Sequence, residues 1–167
     1  MESKVRVESK VESTKIFVHR HLNSSMLFGN ALNCKIDAKN KAGFDYFYSH
    51  FGLEKLVVLK QVHGTSGHLI DSLSGLAGGN IQLFEAVGDY IVTDQKNVGI
   101  AVLTADCLPI VFCDPERNVV AIAHAGRLGT LSKIVRKVLE SLVNRYCVNL
   151  KNVKIFFGPC AGVCCYS

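Results

Sequence analysis

From residue 15 onward, apolar runs of strand length alternate with polar breaks marked by Gly or Pro. Lys15-Ile16-Phe17-Val18 predicts a short strand, and Asn23-Ser24-Ser25 a turn or loop. From Ala38 to Phe51 the pattern shifts to a helical period. Phe44, Phe47, Tyr48 and Phe51 recur at spacings of three and four, an aromatic core stripe on a helix that Gly52 ends. Ser72 to Asn80 is rich in glycine and serine and predicts a flexible loop. Ile110 to Cys113 and Val119 to Ala123 are apolar throughout and flank Asp114-Pro115-Glu116-Arg117-Asn118. They predict a hairpin turned at Pro115 in a sheet covered on both faces. Thr130 to Tyr146 predicts an amphipathic helix N-capped by Thr130, with Leu131, Ile134, Val135, Val138, Leu139, Leu142 and Val143 on one face. With no repeat and no linker, the pattern predicts one domain over 15–167 behind a flexible charged tail over 1–14.

Composition narrows this further. A chain of 167 residues with 49% hydrophobic and 20% charged residues can bury a real core, which excludes a mostly disordered protein. No apolar run approaches the roughly twenty residues that cross a bilayer, and the first fifteen residues are charged, unlike an export signal. A membrane partner is therefore not expected. Seven cysteines without an export signal read as reduced thiols and imply a cytoplasmic setting. The net charge of +5 comes partly from Lys4, Arg6, Lys10 and Lys15, which alternate with Glu2, Glu8 and Glu12. Elsewhere Lys and Arg are scattered, with no basic stripe interleaved with aromatics, so nucleic acid is not an expected partner.

The candidate chemistry lies where strand-like runs break. Leu56 to Gln61 leads into Val62-His63-Gly64, Val98 to Thr104 into Ala105-Asp106-Cys107-Leu108-Pro109, and Val119 to Ala123 into His124-Ala125-Gly126. Strand ends hold side chains rigidly at an edge, and two histidines with a thiolate form a soft three-ligand set that leaves a metal one open position. Gly126 and Gly129 let backbone approach a ligand closely, and the turn after Thr130 holds no acid, so an anion such as phosphate is a candidate there. The same turn also reads as a packing device. Cys160, Cys164 and Cys165 are a weaker candidate for a second soft-metal cluster; Cys34, Cys113 and Cys147 read as core. His68 reads as a loop residue, and His19 and His21 share the strand face opposite Arg20.

Five short blocks carry a resemblance. Lys60-Gln61-Val62-His63-Gly64, Gly88-Asp89-Tyr90-Ile91-Val92-Thr93, Thr104-Ala105-Asp106-Cys107-Leu108-Pro109, His124-Ala125-Gly126 and Gly158-Pro159-Cys160 occur in this order. Together they resemble the laccase-domain family, whose members are also called polyphenol oxidases or purine nucleoside phosphorylases. Arg20 and Leu32-Asn33 match weaker family positions. The resemblance implies an α+β fold of layered mixed β-sheets flanked by helices. It also implies one metal, usually zinc and sometimes assigned as copper, bound through His63, Cys107 and His124. The implied activities are phosphorolysis of adenosine and inosine, adenosine deamination and phenol oxidation, with purine nucleosides and phosphate as partners. On this basis Arg20, Gly126, Arg127, Gly129 and Thr130 are candidates for phosphate binding. Cys107, Asp106 and Arg20 are the candidate catalytic groups.

Two departures from the family pattern qualify the expectation. After His124-Ala125-Gly126 the family continues with an aromatic residue, a basic residue and Gly; this chain has Arg127-Leu128-Gly129. Family members also run on past the block matching Gly158-Pro159-Cys160, whereas this sequence stops at Cys164-Cys165-Tyr166-Ser167, which raises the expectation of exposed strand edges and self-association. Three alternatives stand beside purine chemistry: a copper-dependent phenol oxidase, a metal-free hydrolase or deamidase using Cys107 and His124, and an inactive shortened family member.

Overall fold

A computed structural model of the chain describes residues 17–21, 24–28, 51–72 and 81–165. The described elements are β1 (Phe17–His21), β2 (Ser24–Phe28), β3 (Lys55–Lys60), β4 (Gly67–Ile70), β5 (Ile81–Val87), β6 (Tyr90–Thr93), β7 (Val98–Ala101), β8 (Leu108–Asp114) and β9 (Val119–Ala125). They are followed by α1 (Arg127–Leu131), α2 (Ile134–Tyr146) and β10 (Lys154–Phe157). This is an α+β fold with mixed sheets. Most of the expected helix from Ala38 and of the loop from Ser72 lies outside the described residues, as does the charged tail. Phe51 is helical, and Gly52 follows at φ 59°, the left-handed conformation that ends a helix cheaply only for glycine.

The hairpin β8–β9 forms where the sequence predicts it. Its register runs from Asp114↔Val119 to Leu108↔Ala125. Asp114 fixes the turn by accepting hydrogen bonds from the Glu116 and Arg117 N–H groups at 2.9 and 3.3 Å. Asp114→Ala strips those acceptors at an otherwise unchanged turn, and the expected loss is about 1 kcal/mol, read as a lower urea midpoint at unchanged slope.

β8 and β9 are the centre of a five-stranded sheet in the order β10-β8-β9-β6-β4, with only the β4–β6 pair parallel. Side chains alternate across it. Val119, Ala121, Ala123 and Ala125 of β9, with Phe112, Tyr90 and Val92, pack under Ile134, Val138 and Leu142 of α2. Ile91 and Ile122 point the other way, towards Val57 and Leu59 of β3. β3 is central to a parallel sheet of order β5-β3-β7, which explains why Leu56, Val57, Val58 and Leu59 are all buried without alternation. The layers are therefore helix, five-stranded sheet and three-stranded sheet. Among the described residues no helix is long and apolar enough to cross a membrane.

Several expectations are corrected. Ser24 and Ser25 are not a loop but pair with His21 and Arg20 in the β1–β2 hairpin. The single helix from Thr130 is two helices, broken at Ser132 and at Lys133, whose φ is 64°. Thr130 lies inside α1 and does not cap; the N-cap of α1 is Gly126. Leu131 therefore belongs to the first, separate helix and is exposed, while Ile134, Val138 and Leu142 of the predicted face are buried. Cys147 is exposed at the C-cap of α2, although Cys113 is core as expected.

Candidate metal centre

The parity of the sheet brings the site together. His124 lies two residues beyond Ile122 on β9, so it faces the three-stranded layer, away from α2. The β6–β9 register pairs Tyr90 with Ala123, and one further step sets Asp89 opposite His124. Likewise the β8–β9 register pairs Leu108 with Ala125, and one further step sets Cys107 opposite Gly126. β3 then delivers His63 from the other layer. His124 is thus the penultimate residue of β9 and Cys107 immediately precedes β8, rather than both following strand ends.

The outcome is a compact ligand set. One ligand atom each from His63, Cys107 and His124 lies within 4.8 Å of the others, and it is the one such three-residue cluster among the described residues. The two imidazoles meet edge to face with centroids 4.7 Å apart. Gly126 closes the cradle: a Cβ there would stand 3.0 Å from His63 Cδ2 and 3.1 Å from Cys107 Sγ. Gly129 serves packing, since a Cβ at that position would stand 2.8 Å from the Gly64 carbonyl oxygen.

Asp89 orders the site, a role the sequence did not disclose. Its buried carboxylate accepts the His124 Nδ1–H at 2.9 Å, and its carbonyl accepts the His124 backbone N–H at 2.8 Å. Nδ1 is then the protonated nitrogen, and Nε2 keeps its lone pair for a metal. The same carboxylate accepts the N–H groups of Val62, His63 and Gly64, the shortest at 2.7 Å from Gly64. Three successive N–H groups around one anion form a nest, and it holds His63 at φ 61°, a conformation costly for a non-glycine residue. Burial by itself pushes the Asp89 carboxyl up, but the His124 hydrogen bond and the Gly64, Val62 and His63 amides outweigh it and hold the carboxyl below the usual range. Gln61 braces the same loop through paired 2.7 Å hydrogen bonds with the Leu103 backbone.

A cleft of about 300 Å³ opens beside Cys107. Asp106, Gly126, Arg127, Thr130 and Cys160 line it, whereas Gly129 does not. Burial pushes the Cys107 thiol up, and the Asp106 and Asp89 carboxylates add to the shift. Arg20 lies on β1, and its side chain is outside the described set. His68 belongs to β4 rather than a loop and bonds the Val87 carbonyl at 3.0 Å, apart from the cluster. The second soft-metal cluster is not assembled: Cys160 faces the cleft, and only Cys164 and Cys165 meet.

The donor set fits a metal. Two imidazoles and a thiolate are soft ligands suited to zinc or copper, and Asp89 supplies the carboxylate that orients such a histidine. This fold and cluster define a candidate metal centre in a mixed α+β domain. The chain belongs to the multi-copper polyphenol oxidoreductase laccase family, whose model matches residues 31–167. Among similar proteins, purine nucleoside phosphorylase LACC1 of Homo sapiens is 39% identical over 79 residues, which are 47% of this chain and 18% of that protein. Purine nucleoside phosphorylase YlmD of Geobacillus stearothermophilus is 33% identical over 119 residues, 70% of this chain and 43% of the relative. The crystal structure of Bacillus licheniformis hypothetical protein YfiH matches with a TM-score of 0.68 at 28% identity, covering 74% of this chain and 48% of that one. The chain thus spans less than half the length of these relatives.

Proposed function

We propose that this chain carries the metal centre and part of the substrate cleft of a purine nucleoside phosphorylase, acting on adenosine or inosine with phosphate and deaminating adenosine at the same centre. The observation that carries the reading is the His63, Cys107 and His124 set, locked by Asp89 at the side of a cleft lined by Arg127 and Thr130. The relatives' names supply the substrate class. His63, Cys107 and His124 hold the ion, zinc before copper, which supplies Lewis acidity at neutral pH.

In phosphorolysis a phosphate oxygen bonds to ribose C1′ while the bond from C1′ to the purine breaks; the electron pair leaves with the purine, which takes up a proton. The Arg127 guanidinium and Thr130 hydroxyl hold the phosphate, with Arg20 assigned to it from β1. Gly126 leaves room for the anion beside the cluster. Asp106, exposed on the cleft wall, holds or delivers the proton at the purine. In deamination water adds at C6 and ammonia departs, and Asp106 moves the proton between them.

Two other readings rank lower. A metal-free Cys107–His124 nucleophile needs a depressed thiol pKa, and here burial and two carboxylates push it up. Phenol oxidation by a multicopper route needs several copper centres, and the described residues offer one three-ligand cluster. The test is chromatography of adenosine incubated with the zinc-loaded chain, with and without phosphate, beside His124→Ala. Phosphate-dependent adenine or phosphate-independent inosine, absent from the variant, is the expected result. A folded, zinc-containing chain that yields neither refutes the reading.

A further inference from the structure

The turn closed by the Cys165 N–H to the Gly162 carbonyl, at 2.9 Å, carries two thiols that the metal cluster does not use. Neighbouring side chains in an extended chain point to opposite sides, so their meeting is a product of this turn. The Cys164 and Cys165 Sγ atoms lie 3.3 Å apart, and both side chains are exposed.

A direct disulfide fits the pair poorly. Successive Cα atoms are about 3.8 Å apart across a trans peptide, short of the roughly 4.4–6.8 Å that a disulfide normally spans. A third atom between the sulfurs relaxes that constraint, and the sulfur separation selects its geometry. For bonds of about 2.3 Å to sulfur, a collinear ion needs sulfurs about 4.6 Å apart, a tetrahedral one about 3.8 Å, and a pyramidal centre with near-right-angle bonds about 3.3 Å. The pair matches the last. Among the described residues no third His, Cys, Asp or Glu completes a cluster with them. Among the described residues, a ligand of this pair is held by two protein sulfurs.

We propose that Cys164 and Cys165 form a dithiol site for a monosubstituted trivalent arsenical. Binding exchanges each As–OH bond for an As–S bond, and each thiol proton leaves with a hydroxyl as water. Two waters are released and no oxidation state changes. The segment just before the turn is tied to the cleft: the Gly158 N–H bonds the Pro109 carbonyl at 2.9 Å and the Ala161 N–H bonds the Asp106 carbonyl at 3.0 Å. These bonds tie the strand-to-turn segment to the loop that bears Cys107.

Titration of the full chain with phenylarsine oxide in excess monothiol, followed by intact mass and peptide mapping, tests the site. One adduct per chain is expected, bridging Cys164 and Cys165, stable to the monothiol and removed by a small dithiol. Cys164→Ser and Cys165→Ser should each abolish monothiol-resistant binding, while Cys160→Ser retains it; both positions are exposed, and circular dichroism checks the fold. An adduct that maps to Cys107 or Cys160, survives both substitutions, or never forms overturns the proposal. A Cys164–Cys165 disulfide in untreated protein overturns it as well.

Discussion

Asp89→Ala is expected to weaken metal binding by about 10–100-fold and to destabilise the fold by about 3 kcal/mol. One carboxylate serves two elements: it fixes the protonated nitrogen of His124 on β9 and satisfies the amides of the His63 loop after β3. Removing it frees the His124 ring to rotate and leaves a polar nest facing a cavity without its anion. His63 then loses the hydrogen bonds that hold its left-handed backbone. Asp89→Asn separates the two contributions. Its carbonyl, placed at Oδ1, can still accept from His124 and His63, but its amide meets the Gly64 N–H donor to donor, so stability falls with a smaller loss of metal affinity. Competitive metal titration and urea unfolding read both quantities. Unchanged metal affinity in Asp89→Ala would show that the histidine needs no orienting partner.

Gly126→Val should abolish function through space alone. The backbone there has φ −76° and ψ 172°, which any residue adopts, so the substitution introduces no left-handed strain. Even a Cβ would press on His63 and Cys107 at 3.0 and 3.1 Å, and the two further methyls of valine add to that crowding of the ligand side chains. The overpacking costs about 1–3 kcal/mol of stability. Displacing reacting groups by about 1 Å reduces turnover about a hundredfold. The expected result is a chain that unfolds cooperatively yet binds no metal; normal metal content would place the ion away from this cradle.

The three clustered residues His63, Cys107 and His124 were legible as candidate ligands because each stands where an apolar run gives way to a Gly- or Pro-marked turn. Their convergence was not, since it depends on a register between β6, β8 and β9 that only pairing reveals. Asp89 sat in plain view between Gly88 and the apolar run Tyr90–Thr93, and an acid entering a fully buried strand is the signal that could have singled it out. The β8–β9 hairpin was readable from its apolar arms and Asp114 turn. The break between α1 and α2 was not, because Leu131-Ser132-Lys133-Ile134 keeps the helical period and contains neither Gly nor Pro. There tertiary packing decides, with Gly129 seated on the Gly64 carbonyl and α2 turned onto β9 and β6. Short strands such as β4 and β10, mixed in polarity and bounded by loops, gave no periodic signal of their own.

His63, Cys107 and His124 are proposed to hold one metal ion together. Cobalt(II) titration followed by optical absorption tests it most directly, because a cobalt–thiolate bond adds a near-ultraviolet charge-transfer band that imidazole ligation lacks. Saturation at one equivalent with that band is expected, with loss of the band in Cys107→Ser and much weaker binding in His63→Ala and His124→Ala. A band that persists undiminished in Cys107→Ser, or stoichiometric binding that ignores both histidines, would contradict it.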